Sequence, residues 1–260
     1  APIEKMADNI VLVDETEVYE EMQPFISMIK KQHMDILNHA QMRQEFTANV
    51  SHELKTPLTA ISGYAELIAS GMTGGEDTVH FANEIHRSAE RLQSLINDII
   101  KLSELDDSDL KLEFETVDLH ELGEQCVSSM QMQAEKNEVT LQLEGTSVPM
   151  SGNKTLLEEL LFNLCSNAVR YNKKGGSVTI VTAIENTRPV LIVKDTGIGI
   201  PKEQQERVFE RFYRVDKSRS KSTGGTGLGL AIVKHIVAQH DAQISMTSEV
   251  GVGTEIKVVF

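Results

Sequence analysis

The sequence predicts an α+β protein in two parts: an N-terminal antiparallel helical hairpin that forms a dimeric four-helix bundle, and a C-terminal α/β sandwich. Three observations predict this fold. Apolar residues recur at helical spacing over roughly the first hundred residues. Short β-like runs then alternate with helical patterns. Charge also separates the halves, because residues 1–110 hold 20 acidic and 8 basic side chains, whereas residues 111–260 hold 19 and 17.

The first predicted helix follows an apolar stripe that begins near Val18 and continues to Ile68. Its members recur every three or four residues, which is typical of an amphipathic helix. Pro57 lies inside the stripe, and we expect a local kink there because proline removes a helical N–H. Residues 1–17 have no clear period and are assigned to the end of an upstream linker.

A second stripe runs from Ala82 to Leu102 in steps close to a heptad, after a glycine-rich break at 71–75. Two long helices joined by a short turn predict an antiparallel hairpin over residues 18–107. Because a lone hairpin cannot cover both of its apolar seams, we expect a homodimer that completes a four-helix bundle. The alternative is that the hairpin packs on the rest of its own chain.

Residues 108–260 follow a polar break and have a mixed α/β pattern; residues 106–111 are interpreted as a hinge. Strand and helix patterns intermix over about 150 residues, which predicts one α/β sandwich domain. The predicted strands are Leu112–Val117, Val139–Leu143, Val178–Ala183, Val190–Lys194, Ala242–Ser248 and Thr254–Phe260. The predicted helices are Leu119–Gln133, Asn153–Arg170, Lys202–Phe209 and Leu228–Gln239.

Composition excludes several classes of protein. The net charge of −14 argues against a general nucleic-acid binder, because phosphate backbones need a basic surface. The two cysteines, Cys126 and Cys165, lie in apolar helical patterns and indicate buried reduced thiols. No apolar run approaches the ~20 residues that cross a bilayer, and no signal peptide opens the chain. Since the chain begins at Ala1 rather than Met, we expect it to be a fragment.

A candidate reactive histidine lies in the segment Phe46–Leu58 of the first helix. Glu53 follows His52 directly, and Thr56 comes one turn later in the same neighbourhood. A carboxylate that holds one imidazole nitrogen fixes the tautomer and leaves the other nitrogen as a nucleophile. An ordinary surface histidine is the alternative reading of His52.

Two asparagines on the helix Asn153–Arg170 form the next candidate group. Asn163 and Asn167 are four residues apart and therefore share one face of that helix. Hard cations prefer oxygen ligands, and Mg²⁺ is often held by one or two protein oxygens together with substrate phosphates. Glu159 and Arg170 lie near the same face. Helix caps and surface amides are the alternative for each asparagine.

Asp195 should lie at the end of a strand, followed by Gly197 and Gly199. The glycines permit close approach of a flat ligand to the backbone. A buried carboxylate at this position can accept a hydrogen bond from an exocyclic amine. The alternative to ligand binding is a structural role, in which Asp195 caps a tight strand–helix turn.

A glycine run, Gly225-x-Gly227-x-Gly229, leads into the last predicted helix. Amides at a helix N-terminus and the positive end of the helix dipole suit phosphates. The spacing is not that of the dinucleotide motif, and the chain contains no Gly-Lys pair of a P-loop. The preceding basic segment, 211–221, is interpreted as a lid over a polyphosphate, with a solvated charged loop as the alternative.

In this order, and with a Phe209/Phe212 segment before the last glycines, the motifs resemble the H, N, G1, F and G2 boxes of the sensor histidine kinases of two-component systems. The resemblance is to a phosphate-regulon-sensor-like class and covers about residues 20–260. It implies that residues 18–107 are the dimerisation and histidine-phosphotransfer domain. It also implies that residues 108–260 are the ATP-binding sandwich shared with the chaperone, gyrase and mismatch-repair ATPases.

The same resemblance implies roles for individual residues. His52 would be the phospho-acceptor, Glu53 its general base, and Thr56 would position a water in the reverse phosphatase reaction. The implied cofactors are ATP and Mg²⁺, with Asn167 as the metal ligand and Asp195 bound to the adenine amino group. The remaining implied nucleotide-binding residues are Asn163, Arg170, Tyr171, Gly197, Gly199, Arg214, Gly225, Thr226, Gly227, Leu228 and Gly229. Arg170 stands where lysine is more usual, which keeps the charge but changes the geometry.

The implied activity is autophosphorylation on His52, phosphotransfer to an aspartate of a response regulator, and phosphatase activity toward the phosphorylated regulator. The implied partners are a second copy of the chain and the regulator's receiver domain. The implied location is the cytoplasmic portion of a bacterial inner-membrane sensor, with membrane contact only through a missing N-terminal region. Two alternatives stay open: a protein-serine kinase or ATPase of the same ATP-binding superfamily, and a non-catalytic dimeric scaffold.

Overall fold

The computed structural model describes residues 23–71, 74–106, 112–215 and 225–260. The chain divides into two compact units, Ala1–Thr59 and Ala60–Phe260. The predicted upstream linker 1–17, the predicted hinge beyond Asp106, and residues 216–221 of the predicted lid lie outside the described residues.

The described part of the first unit belongs to one long helix, α1 (Gln23–Ala69), which runs through Pro57 without interruption. Large apolar side chains along this helix are exposed; Ile36 is 65% exposed and Leu58 is 55% exposed. None of the described helices has an apolar stretch long enough to span a membrane.

The second unit contains the end of α1 and a second helix, α2 (Gly75–Leu105). The ring of Tyr64 stacks on the ring of Phe81, with 5.4 Å between their centroids. Because Tyr64 precedes the turn and Phe81 follows it, this stack brings the end of α1 against the start of α2. The predicted hairpin is therefore confirmed at its closed end. Glu76 and Asp77 lie in the first turn of α2, where acidic side chains interact favourably with the helix dipole.

A mixed five-stranded sheet with the order β2-β4-β5-β7-β6 forms the centre of the sandwich. Strand β2 pairs with β4 in parallel, and the other pairs are antiparallel. Strands β1 and β3 form a separate two-stranded antiparallel sheet. The strands are β1 (Glu115–Asp118), β2 (Thr140–Gly145), β3 (Pro149–Gly152), β4 (Ser177–Glu185), β5 (Arg188–Asp195), β6 (Gln243–Glu249) and β7 (Gly253–Val259).

Three helices pack against the sheet: α3 (Leu119–Lys136), α4 (Lys154–Arg170) and α5 (Gly229–Gln239). Burial alternates along β4, so one face of the sheet lies against these helices. Four leucines of α4 are fully buried, namely Leu157, Leu160, Leu161 and Leu164. The Asn153 side chain caps this helix by accepting the Leu156 N–H at 3.0 Å. Helix α4 is therefore a fixed support for the polar side chains on its other face.

The structure differs from the sequence prediction in two places within this unit. The short strand β3 was not predicted; it begins with Pro149, pairs only with β1 and has only four residues. The predicted helix Lys202–Phe209 is two separate 3₁₀ turns, Lys202–Gln204 and Arg207–Phe209. The side chain of Gln205, between the turns, donates to the carbonyls of Ile200 and Ser248 at 3.0 and 2.8 Å. These hydrogen bonds fix Gln205 between the two turns, in the segment where a continuous helix was expected.

Candidate active site

A cavity of about 600 Å³ opens within the second unit. Its walls come from α4, the end of β5, the glycine loop 225–229 and helix α2. Apolar side chains form much of the lining, namely Val193, Ile198, Ile200, Val208, Met246 and Ile256. An apolar cavity with a few polar groups at its edge suits a flat ring system attached to a charged tail.

Asp195 is the last residue of β5 and lines this cavity. Its Oδ1 accepts the N–H of Gly197 at 2.7 Å and the N–H of Thr254 at 3.3 Å. Burial raises the pKa of the Asp195 carboxyl, while these two N–H groups and the charge of Lys173 oppose the rise. Among the described residues, none donates a hydrogen bond to Oδ2. That oxygen can therefore accept a hydrogen bond from a ligand amine.

Gly199 illustrates why this turn needs glycine. Its φ is +67°, and a Cβ added there would lie 2.0 Å from the carbonyl oxygen of Glu249. The loop is held close by a second contact, because the Gly251 N–H donates to the Ile198 carbonyl at 2.8 Å. Gly197 does not line the cavity; its N–H supports Asp195 instead.

The two predicted asparagines both line the cavity. Asn163 Nδ2 donates to the carbonyl and to Oε1 of Glu159, at 2.9 and 2.8 Å, and this fixes the amide orientation. Asn163 Oδ1 then lies beside Gly229, where an added Cβ would be only 2.6 Å away. Asn167 lines the same cavity one turn later. The described residues contain no cluster of three or more His, Cys, Asp and Glu side chains for a metal ion. These amide oxygens fit a hard cation that shares its other ligands with phosphates.

The glycine loop, Gly225–Gly229, ends at the first residue of α5. Gly225, Thr226, Gly227 and Gly229 line the cavity, whereas Leu228 is fully buried and does not. The Phe212 N–H donates to the Gly227 carbonyl at 2.8 Å, and this bond ties the loop to the preceding segment. Backbone amides at the start of α5 give this end of the cavity a preference for anions.

Three basic or aromatic side chains complete the predicted set. Arg170 ends α4, Tyr171 caps it, and Arg214 precedes the undescribed part of the predicted lid; all three line the cavity. A Cβ on Gly225 would lie 3.0 Å from Arg170 Nη1 and 3.2 Å from the Tyr171 hydroxyl. Arg170 therefore reaches the glycine loop, where its positive charge lies beside the anion-preferring amides.

Two polar lining residues come from α2, which was not predicted to contribute to the site. Ser94 and Asp98 belong to α2, and they lie on the wall of the cavity. Asp98 Oδ2 accepts a hydrogen bond from the hydroxyl of Thr226 at 2.6 Å. Burial raises the pKa of the Asp98 carboxyl, although the Thr226 hydrogen bond lowers it. No local motif marks Asp98, because its partner lies 128 residues away in the sequence.

The candidate catalytic residues His52, Glu53 and Thr56 lie in the first unit, on helix α1. His52 is exposed, so its ring is accessible to a reaction partner. The Thr56 hydroxyl donates to the backbone carbonyl of His52 at 3.2 Å. The Ser51 hydroxyl makes the same kind of bond to the Thr47 carbonyl, at 2.9 Å. The Thr56 hydroxyl therefore lies on the helix surface one turn from the histidine.

Two known protein families match separate parts of the chain. Residues 42–108 match the His Kinase A (phospho-acceptor) domain, and residues 152–260 match the Histidine kinase-, DNA gyrase B-, and HSP90-like ATPase family. A curated relative, Sensor-like histidine kinase SenX3 from Mycolicibacterium smegmatis, is 39% identical over 224 residues, which cover 85% of this chain. The alignment covers 58% of the relative, so this chain spans little more than half of its length.

Solved structures of similar proteins have the same architecture. ShkA in complex with AMPPNP is 27% identical, with a TM-score of 0.61, covering 83% of this chain and 45% of that one. Histidine kinase ThkA in complex with response regulator protein TrrA is 22% identical, with a TM-score of 0.69 over 94% of this chain and 67% of that one. The second match supports the fold alone.

Proposed function

Because the chain belongs to the two-component sensor histidine kinases, we propose that it is an ATP-dependent protein-histidine kinase core. In this proposal His52 accepts the γ-phosphoryl group of ATP and passes it to an aspartate of a response regulator. One observation supports the proposal more than any other. The exposed His52 lies inside the segment that matches the phospho-acceptor domain, and the same chain contains a cavity suited to a nucleotide.

Asp195 Oδ2 accepts the adenine amino group, and the apolar lining contacts the two faces of the base. The amides of the glycine loop, together with Arg170 and Arg214, bind the phosphates at the other end of the cavity. Gly229 leaves room for Asn163 Oδ1 at this end, and Asn167 lines the cavity one turn later. Asn167 is the residue that would hold Mg²⁺. The metal ion, when bound, neutralises charge on the transferring phosphoryl group.

One ring nitrogen of His52 would bond to the γ-phosphorus of ATP as the bond to the β–γ bridging oxygen breaks and ADP leaves, and Glu53 would accept the proton that the ring releases. Neighbouring carboxylate and imidazole groups divide the acid–base work in this way in many enzymes. Catalysis depends mostly on positioning, as in other phosphoryl transfers. In the opposing phosphatase reaction, the Thr56 hydroxyl positions the water that attacks the aspartyl phosphate of the regulator and releases inorganic phosphate.

We also propose that the functional form is a homodimer whose helical hairpins form a four-helix bundle. Exposed apolar side chains along α1 and α2 support this, because Leu58 and Ile100 are 55% and 52% exposed in the single chain. Residues 18–107 are then the dimerisation and phosphotransfer domain, and residues 108–260 the ATP-binding domain. A response-regulator receiver domain docks on the bundle near His52.

The whole protein is proposed to be a bacterial inner-membrane sensor of which this chain is a cytoplasmic portion. The support is its similarity to curated sensor kinases that are longer than this chain. Expression of the full-length gene product, followed by separation of membrane and soluble fractions, tests this assignment. Recovery of the full-length protein in the soluble fraction without detergent contradicts it.

The central proposal is tested by incubating the purified chain with Mg²⁺ and γ-labelled ATP. We expect label on His52 that is lost in acid and retained in base, and no label on His52→Gln. His86→Gln is the matched control, since His86 is an exposed helical histidine that pairs with Glu90 outside the cavity. An acid-stable phosphoserine, or full labelling of His52→Gln, would refute phosphorylation at this histidine.

A further inference from the structure

Helix α2 docks on the ATP-binding sandwich along one of its faces. Leu95, Leu102 and Leu105 are buried, with exposed fractions of 2%, 0% and 3%. These leucines recur at steps of seven and three, so they share a face with Asp98. That face packs on helix α5, whose first residue ends the glycine loop. The docked helix is therefore directly connected to the phosphate end of the cavity.

A second polar contact anchors the end of the docked helix. Asp106 accepts hydrogen bonds from Arg211 Nη2 through both carboxylate oxygens, at 2.7 and 2.9 Å. His235 of α5 lies 3.6 Å from the same carboxylate. Gln239 Nε2 also donates to the Leu105 carbonyl at 3.4 Å. These contacts hold α2 against α5 outside the cavity, so they are separate from the contact that Asp98 makes inside it.

Asp98 brings a negative charge to the anion-preferring end of the cavity. Its carboxylate is close enough to Glu159 for their repulsion to raise the pKa of Asp98, and close enough to Arg170 for that cation to lower it. Arg170 also reaches the glycine loop beside Gly225. The carboxylate of α2 and a bound polyphosphate would therefore interact with the same cation.

The Asp98 contact also engages a backbone amide of the glycine loop. The Thr226 hydroxyl donates its hydrogen to Asp98 at 2.6 Å, so its lone pairs are left to accept. The Leu228 N–H donates to that hydroxyl oxygen at 3.3 Å. The Leu228 amide at the start of α5 is suited to an anion, but here it donates its hydrogen bond to the Thr226 side chain. Because Leu228 is fully buried, a phosphate could reach this amide only after the hydroxyl is displaced.

We propose that Asp98 is an internal anion that occupies the phosphate end of the cavity when α2 is docked, and that ATP binding and docking of α2 exclude each other. This inference rests on the proposed function, because it takes ATP as the ligand. By linkage, a movement that pulls α2 away tightens ATP binding, and ATP binding releases α2 by the same factor. Asp98 therefore connects movement of the helical hairpin to nucleotide occupancy.

The first test measures the affinity of the 260-residue chain for Mg²⁺-ATP, ADP and adenosine by calorimetry. We expect Asp98→Ala to tighten ATP binding by about 5- to 150-fold, the usual range for coupled sites. Asp98→Asn keeps an acceptor for Thr226 but removes the charge, and we expect it to give most of the same gain. In these variants the affinity for ADP should rise less than the affinity for ATP. The affinity for adenosine should not rise, because adenosine has no phosphate to compete with the carboxylate.

Asn97→Ala is the matched control, since Asn97 is an exposed neighbour on α2 that does not line the cavity. It should leave all three affinities unchanged. Unchanged ATP affinity in both Asp98 variants overturns the inference, as does a gain that is equal for ATP and adenosine. If neither the parent chain nor any variant binds a nucleotide, the proposed function itself fails. If the parent chain binds ATP and Asp98→Ala does not differ from it, only the Asp98 inference fails.

Hydrogen exchange of α2 provides a readout that does not depend on catalysis. The amides of residues 95–105 should be protected in the nucleotide-free chain and should exchange faster when Mg²⁺-ATP is added. Asp98→Ala should already exchange faster without nucleotide. Protection of this helix that ATP leaves unchanged in the parent chain contradicts mutual exclusion.

Discussion

The helix of the first unit that contains His52 and the cavity of the second unit support their candidate functional side chains in different ways. His52 is exposed on α1, and the side-chain hydrogen bonds of Ser51 and Thr56 beside it join residues one turn apart. Asp195, in contrast, is held by Gly197 next to it and by Thr254 from another strand. Changes near His52 should therefore alter chemistry alone, whereas changes in the cavity should alter both chemistry and folding.

Asn167→Ala sharpens this comparison at the cavity, and we expect the largest effect from it. Loss of the proposed Mg²⁺ ligand should reduce His52 labelling by about 100-fold or more, because charge neutralisation by a metal contributes several kcal/mol to phosphoryl transfer. The dimer should persist, since Asn167 lies far in sequence from the hairpin. Labelling and sedimentation of the same preparation measure the two effects. Normal labelling would remove Asn167 as the metal ligand.

Gly199→Ala tests whether the cavity depends on the fold. We expect a loss of about 2–5 kcal/mol in the free energy of unfolding, from left-handed backbone strain and from overlap with the Glu249 carbonyl. Gly251→Ala is the control, because Gly251 has a φ of +84° but no heavy atom within 4 Å of an added Cβ. Its loss should be about 1–2 kcal/mol, from strain alone. If urea denaturation gives equal losses in the free energy of unfolding for the two variants, the close approach of Gly199 to the Glu249 carbonyl does not contribute to stability.

Thr56→Ala tests the other side of the comparison, on the exposed helix. We expect autophosphorylation to stay near normal, while phosphatase activity toward the phosphorylated regulator falls by about 10- to 100-fold, because a water is no longer positioned. Thermal stability should hardly change at this exposed site. Thr59→Ala is the matched control, since Thr59 makes the same type of bond to the Lys55 carbonyl. Parallel loss of both activities in Thr56→Ala would contradict the assigned role.

We expect the smallest effect from a change at His240, whose ring contacts the residue that caps α4. Its Nδ1 donates to the Ile236 carbonyl at 2.8 Å, and its Nε2 accepts the Asn153 N–H at 3.1 Å. This pattern requires a neutral ring, and burial lowers the pKa of His240. As the pH falls below about 6.5, the unfolded chain takes up the proton first, so the free energy of unfolding decreases until the folded ring also protonates.

The measurement for His240 is urea denaturation of the parent chain and His240→Gln at about pH 7.5 and about pH 5.5. We expect the variant to be less stable by about 0.5–1.5 kcal/mol at the higher pH, from the lost hydrogen bond. We also expect its stability to fall less between the two pH values. His86→Gln serves as the control, and it should keep the pH dependence of the parent chain. An unchanged pH dependence in His240→Gln would exclude His240 as its source.

Much of the fold follows from local patterns in the sequence. The hairpin helices are predicted by apolar spacing, and α4 by the helical pattern over Asn153–Arg170. Within the sandwich, five of the β-like runs correspond to strands of the central sheet and a sixth corresponds to β1. The prediction fails where distant contacts decide the structure. The two 3₁₀ turns depend on a Gln205 side chain that bonds to Ser248, and strand β3 depends on its pairing with β1.

Local sequence patterns identified the residues that could react or bind a ligand. These are a histidine followed by a carboxylate, paired asparagines one turn apart, a strand-end aspartate, and glycines before a helix. These signals are local, because they depend on residues only a few positions apart. Three facts come from the tertiary structure alone. It shows which of these residues share a cavity, which oxygen of Asp195 is left for a ligand, and that Asp98 of α2 lies beside Thr226. Those facts depend on contacts across tens to more than a hundred residues, for which the sequence contains no spacing rule.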